Sequence, residues 1–215
     1  MKSKHFYLAA QLLCVLLISC NNNKEHTTTT DTASKKDSSN IAANKLPIPE
    51  GWTTEQILFP IDFAPQINYK GTEELRFTKG WGDILSEEHW TYAFLWTLDG
   101  KLIINDSTLQ QNLTDYYSGL VKRNIVSRSI PSVKIIPTVA KVKVVTTEAG
   151  DTVTFHATVN MLDYIAQNPI VLNIAIHLKS CSDAGTTKIF FEVSPQPATH
   201  KIWTTLSSLN KSICP

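Results

Sequence analysis

No glycine-rich phosphate loop, no Gly-x-Gly-x-x-Gly fingerprint and no Gly-x-Ser-x-Gly elbow occurs among the eight glycines of this 215-residue chain. Dinucleotide chemistry, phosphate-loop chemistry and elbow-type serine hydrolysis therefore lose their usual signatures. A helical His-x-x-x-His pair and paired cysteine ligands are missing as well, and with them the recognisable metal sites. No cofactor is implied. Charge of one sign is not in excess either: 20 Lys and Arg against 19 Asp and Glu give a formal charge of +1. A nucleic-acid partner needs a basic excess or a clustered basic face, and none is expected here. Internal repeats are absent too.

What is present begins at the N-terminus. Lys2 to Lys4 supply a positive start, and Phe6 to Ile18 is an apolar stretch too short and too close to the start to favour a membrane-spanning helix. The tetrapeptide Leu17-Ile18-Ser19-Cys20 resembles the bacterial lipoprotein box, in which the cysteine is diacylated and the leader is cut before it. The resemblance implies a signal peptide over 1–19 and a lipid on Cys20. It also implies a cell-envelope protein anchored to a bacterial membrane, facing the periplasm or the cell surface. An ordinary cleaved signal or an uncleaved anchor is the alternative. Two or three acyl chains, at about 0.8 kcal/mol per buried methylene, hold a protein stably. Removing Lys2 and Lys4 with the leader leaves the rest near neutral and slightly acidic.

Residues 20–45 read as the lipidated cysteine and a disordered tether, since Asn21 to Asn44 offers no large apolar run to bury. Such a chain spans about 25 to 30 Å. Residues 46–215 remain, about 170 in number and the size of one domain. With Cys14 in the leader and Cys20 acylated, Cys181 and Cys214 are left. In an oxidising compartment they suggest one disulfide, with two separate thiols as the alternative.

Leu46-Pro47-Ile48-Pro49 opens the domain as a stiff entry. Ile57 to Ile61, Gln66 to Tyr69 and Glu73 to Thr78 read as short strands, and Trp90 to Leu98, apolar on both faces, as the centre of a sheet. Ser107, with Gln110 three residues on, looks like the start of a long helix carrying Leu109, Leu113, Tyr116, Tyr117, Leu120 and Val121 inward to about Asn124. Four strands follow in an antiparallel meander: Val139 to Thr146, Thr152 to Met161, Ile170 to Ser180 and Lys188 to Ser194. Glu148 to Asp151 makes the first turn and Asp183-Ala184-Gly185 the last. Ile202, Leu206, Leu209 and Ile213 give a terminal helix. The expected class is α+β: an antiparallel sheet of about six strands with a central long helix and a C-terminal helix packed on it.

Ile189-Phe190-Phe191-Glu192-Val193 followed by the Trp203-x-x-Leu206 helix resembles the PsbP-like fold, over about Gly51 to Ile213. That family includes lipoproteins and accessory factors without catalytic activity, so the resemblance implies binding or assembly rather than an enzyme. The stretch from Gly80 through Trp96 is similar to uncharacterised lipoproteins of Bacteroidetes-type bacteria.

The densest candidate site is Gly80 to Trp90, in which Trp81, Asp83, His89 and Trp90 would bind an envelope protein or small ligand. The rival is a hydrolase or metal-dependent enzyme using Asp83, Glu87 or Glu88 with His89; the bland alternative is a solvated loop with its tryptophans in the core. A second candidate rests on pairing 144 with 155 across the Glu148 to Asp151 turn. Lys143 then faces His156, Lys141 faces Thr158, and His177, with Asn173 and Lys179, comes diagonally near His156. With Thr154 this could bind an anion, or be only the wet side of a sheet. Tyr116, Tyr117 and Trp203 read as packing.

Overall fold

The computed structural model describes residues 46–182 and 185–214. The expected leader, Cys20, the tether and the turn residues Asp183 and Ala184 lie outside the described residues. Seven strands form one antiparallel sheet: β1 (Thr53–Leu58), β2 (Gly71–Phe77), β3 (Tyr92–Asp99), β4 (Val139–Val144), β5 (Asp151–Asp163), β6 (Asn168–Lys179) and β7 (Thr186–Ser194). Among the described residues two α-helices accompany them, α1 (Asp106–Ser127) and α2 (Ile202–Asn210).

The spatial order β1-β2-β3-β7-β6-β5-β4 contains the expected meander, β4 to β7. It also moves the centre of the sheet. β7 occupies the middle and β3 lies beside it, because the last strand of the meander returns to pair with β3 along its whole length. A long strand buried on both faces needs two flanking strands, not the central place. Gln66 to Tyr69 forms no strand; Pro65 interrupts it and the segment turns instead.

Register places alternate residues on opposite faces. Leu75, Phe94, Phe191, Ile176 and Phe155 align across the strands on one face, where α1 buries Leu109, Leu113, Tyr116 and Tyr117. Phe94 stacks on Phe191 at 4.2 Å and on Tyr116 at 5.7 Å. The opposite face carries Ala93, Leu95 and Phe190, covered by Leu206, Leu209 and Ile213 of the C-terminal segment and by Leu46. Arg76 ties the entry segment to that side by donating to the carbonyls of Leu46 and Pro47.

Helix α1 begins two residues earlier than Ser107 suggests. Asn105 is the cap, its side chain accepting from the Thr108 N–H at 2.8 Å. Gly119 lets the helix touch the preceding loop, since a Cβ there would meet the Phe63 carbonyl at 1.8 Å. Cys181 and Cys214 form a disulfide that closes 33 residues and fastens the segment after α2 to the end of β6.

Candidate functional site

The Gly80 to Trp90 loop is folded tightly on itself. Gly80 donates to the Glu88 carboxylate at 2.8 Å, and a Cβ at Gly80 would strike the Ser86 hydroxyl at 2.1 Å. Trp90 has a φ of 55°, rare for a bulky residue, and this left-handed step turns its wholly buried indole into the core. Trp81 is half-buried and meets Trp90 edge to face at 5.7 Å.

The charged residues of the loop separate. Asp83 is exposed and accepts from the Leu85 N–H; Glu87 is exposed and faces His200 and Lys201. His89 pairs with Asp163 at 2.8 Å through Nε2, and its Nδ1 lies 3.1 Å from the Trp81 carbonyl. No hydrogen bond or ion pair joins Asp83 to His89 among the described residues. Asp163 comes from the end of β5, distant in sequence and invisible to local pattern. Burial pushes its carboxyl up, but hydrogen bonds from His89 and from the Ile165 and Ala166 N–H groups outweigh this and hold its pKa below the ordinary value. Both ring nitrogens of His89 face protein groups, which leaves neither for a substrate. Among the described residues no cluster of three His, Cys, Asp or Glu is placed to hold a metal.

Behind Trp81 the loop closes a cavity of about 120 Å³, walled by Trp81, Trp90, Tyr92, Tyr116, Tyr164, Phe63 and Phe77, with Glu55 and Arg123 also lining it.

The second candidate emerges on the α2 side of the sheet. Val144 pairs with Phe155, Lys143 with His156 and Lys141 with Thr158, the register read from the Glu148 to Asp151 turn. Lys141, Lys143, His156 and Thr158, with Asn173, Ala175, Pro197, Ala198 and Trp203, line an open groove of about 690 Å³. Lys141, Lys143, His156 and Thr158 are exposed, and among the described residues none of their side chains has a hydrogen-bond or ion-pair partner. No carboxylate lines the groove. Trp203 packs against the core under α2 as expected and also forms one wall; its N–H donates to the Pro197 carbonyl at 3.0 Å, so the ring itself is what it presents.

His177 does not belong to this wet face. It lies diagonal to His156 as expected, since His156 pairs with Ala175, yet it is 1% exposed. Its Nδ1 is 2.7 Å from Asp151 and its Nε2 is 3.5 Å from Glu192. Lys179 donates to Asp151 and to Asn210, Ser207 donates to Glu192, and buried Thr154 donates to Asp151. Glu148 approaches His177 Nδ1 at 4.0 Å. Desolvation lowers the His177 pKa, but Glu192 and Asp151 more than reverse it and raise the value above 6.5. Asp151, pushed up by burial, is pulled below 3.8 by Thr154, Lys179 and His177. The sequence pattern could not exclude His177 from the groove, because the carboxylates that enclose it, Asp151 and Glu192, are distant in sequence.

Comparison of the chain with protein-family models, with curated proteins and with solved structures finds no significant match.

Proposed function

We propose that this chain is a lipid-anchored cell-envelope protein whose domain binds a small anionic ligand without transforming it. The anchor rests on the Leu17-Ile18-Ser19-Cys20 pattern. The binding role rests on one observation: a groove of about 690 Å³ that brings uncommitted Lys141, Lys143 and His156 opposite the ring of Trp203, with no carboxylate among its lining residues. Its volume falls in the range usual for ligand pockets, and a few polar groups converging on apolar walls is their usual make-up. The occupied ring nitrogens of His89 and the exposed, dispersed carboxylates of the same loop favour binding over catalysis there.

The test uses 1-naphthyl phosphate, which offers one ring system and one anionic group. Calorimetric titration should show saturable binding, weakened about tenfold or more in a Lys141→Ala, Lys143→Ala variant and weakened also in Trp203→Ala. Lysine contacts to a phosphate are charge-assisted, so the loss should shrink in high salt. Unchanged affinity in the double-lysine variant would refute the groove as the anion site.

A further inference from the structure

Antiparallel pairing brings the starts of β1, β3, β4 and β6 and the finishes of β2, β5 and β7 to one end of the sheet. Leu46 enters there, its carbonyl held by Arg76 near the finish of β2, so the chain leading back to Cys20 joins the domain at this end. Helix α1 finishes there too, and the connector 128–138 crosses from it to β4. Two contacts place the connector beside the turn between β5 and β6. Arg128 lies over the Tyr164 ring at 5.4 Å, and Lys134 donates to the Gln167 side chain. Residues 116–147 contain six Lys and Arg and no Asp or Glu. Val126, Val133, Ile135 and Val139 are exposed, Val133 by 90%, and they interleave with exposed Arg128 and Lys134.

Exposed aliphatic side chains set among cations suit a surface that is anionic at its face and apolar just beneath it. The carboxylates of neighbouring elements do not cancel that pattern. Asp62 is paired with Arg123, and Asp163 is buried against His89. Glu55, exposed on β1, bears on Tyr164 as Arg128 does and tempers that arginine, whereas Lys134 has no ion pair among the described residues. Ile84 and Leu85 are exposed at the same end, but Asp83 and Glu87 lie close to them in the chain and make that loop the poorer match. The opposite end carries the acidic turn Glu148 to Asp151. We infer that the segment 126–139 docks against an anionic lipid bilayer. The inference rests on the reading of Cys20 as a lipid anchor: residues 21–45 alone separate it from Leu46, so a lipid there would bring this end to the membrane first. It is separate from the anion groove, whose lysines lie further along β4.

The experiment places the full chain on vesicles of phosphatidylcholine alone and of phosphatidylcholine mixed with phosphatidylglycerol, and follows hydrogen exchange. An anchor is common to both, so only surface charge differs. Exchange across 128–138 should slow several-fold on the phosphatidylglycerol vesicles and recover in high salt, while the Glu148 to Asp151 turn exchanges equally on both. Val133→Asp and Lys134→Glu, both at exposed positions, should each remove most of the slowing. Saturating 1-naphthyl phosphate should leave it in place, because that probe belongs to the groove. The mass of the vesicle-bound chain reports acyl groups separately. If they are absent the anchor reading fails, and docking then stands only if retention is greater on phosphatidylglycerol and is reduced by Val133→Asp. Exchange across 128–138 that is equal on the two vesicles would overturn the inference and leave this end to a protein partner. Slowing untouched by Val133→Asp would overturn it as well.

Discussion

Glu73 shows how one side chain can work against the fold that holds it. It lies on β2 facing α1, wholly buried, with Oε1 accepting from Tyr116 at 2.9 Å and Oε2 without a hydrogen bond. Burial raises its pKa from 4.5 to about 8, more than Tyr116 and Trp96 can offset. An acid whose folded value is raised binds its proton longer in the native chain than in the unfolded one, so stability declines as pH climbs from 4.5 towards 8. At about 1.4 kcal/mol per unit the decline is on the order of 5 kcal/mol. Glu73→Gln keeps an acceptor for Tyr116 and removes the proton. Urea denaturation at about pH 5 and pH 8 should show a clear loss for the native sequence and a much smaller one for the variant; parallel behaviour would contradict the assignment. Nothing in Thr72-Glu73-Glu74-Leu75 distinguishes Glu73 from its neighbour, because burial here is decided by which β2 face α1 covers, and α1 lies more than thirty residues away.

The two helices differ in how they are held. α1 carries a continuous apolar face, legible from its three- and four-residue spacing; it runs to Ser127 rather than Asn124, and its cap was misplaced, since Asn105 and Ser107 are both competent acceptors and the entry direction of the chain decides between them. The strands of the meander, and even the register of β4 on β5, were legible because alternation and a glycine turn constrain both. α2 was legible as a helix, but its second attachment was not. Besides its apolar stripe, Trp203, Ser207 and Asn210 recur at helical spacing, reaching the groove, Glu192 and Lys179 in turn. The His177 ring stands between Asp151 and Glu192, and only in its charged form does it carry a proton for each. Its folded pKa is raised, so the stability it contributes is complete below 6.5 and is lost as pH rises through the higher folded value; Asp151, with a lowered pKa, gives way only below 3.8. Hydrogen exchange of Ile202–Asn210, corrected for intrinsic rate, should therefore lose protection above neutrality, and Glu192→Gln should flatten that dependence. Equal profiles in both chains would show that His177 does not govern α2. Reducing the disulfide, expected to cost about 4 kcal/mol, should steepen the loss.

At the scale of the whole molecule the sheet has two edges, β1 and β4, and each must avoid pairing with a second copy. β1 is short and ends at Leu58, just before Pro60. β4 is guarded differently: the Val142 N–H is taken by the Gln110 side chain of α1, while Lys141 and Lys143 stand between exposed Val139 and Val144. The lysines of the groove are thus also the charges of an otherwise apolar edge, and the two roles make opposite demands on the sign of the charge. Anion binding needs a positive group, whereas edge protection needs only a strongly hydrated one of either sign. Replacing both lysines by valine should abolish 1-naphthyl phosphate binding and cause association that grows with concentration, visible by sedimentation. Replacing both by glutamate should abolish binding equally while leaving the protein monomeric. If the valine variant stays monomeric over the same concentrations, the protection of β4 lies with α1 and Gln110, and the lysines serve the ligand alone.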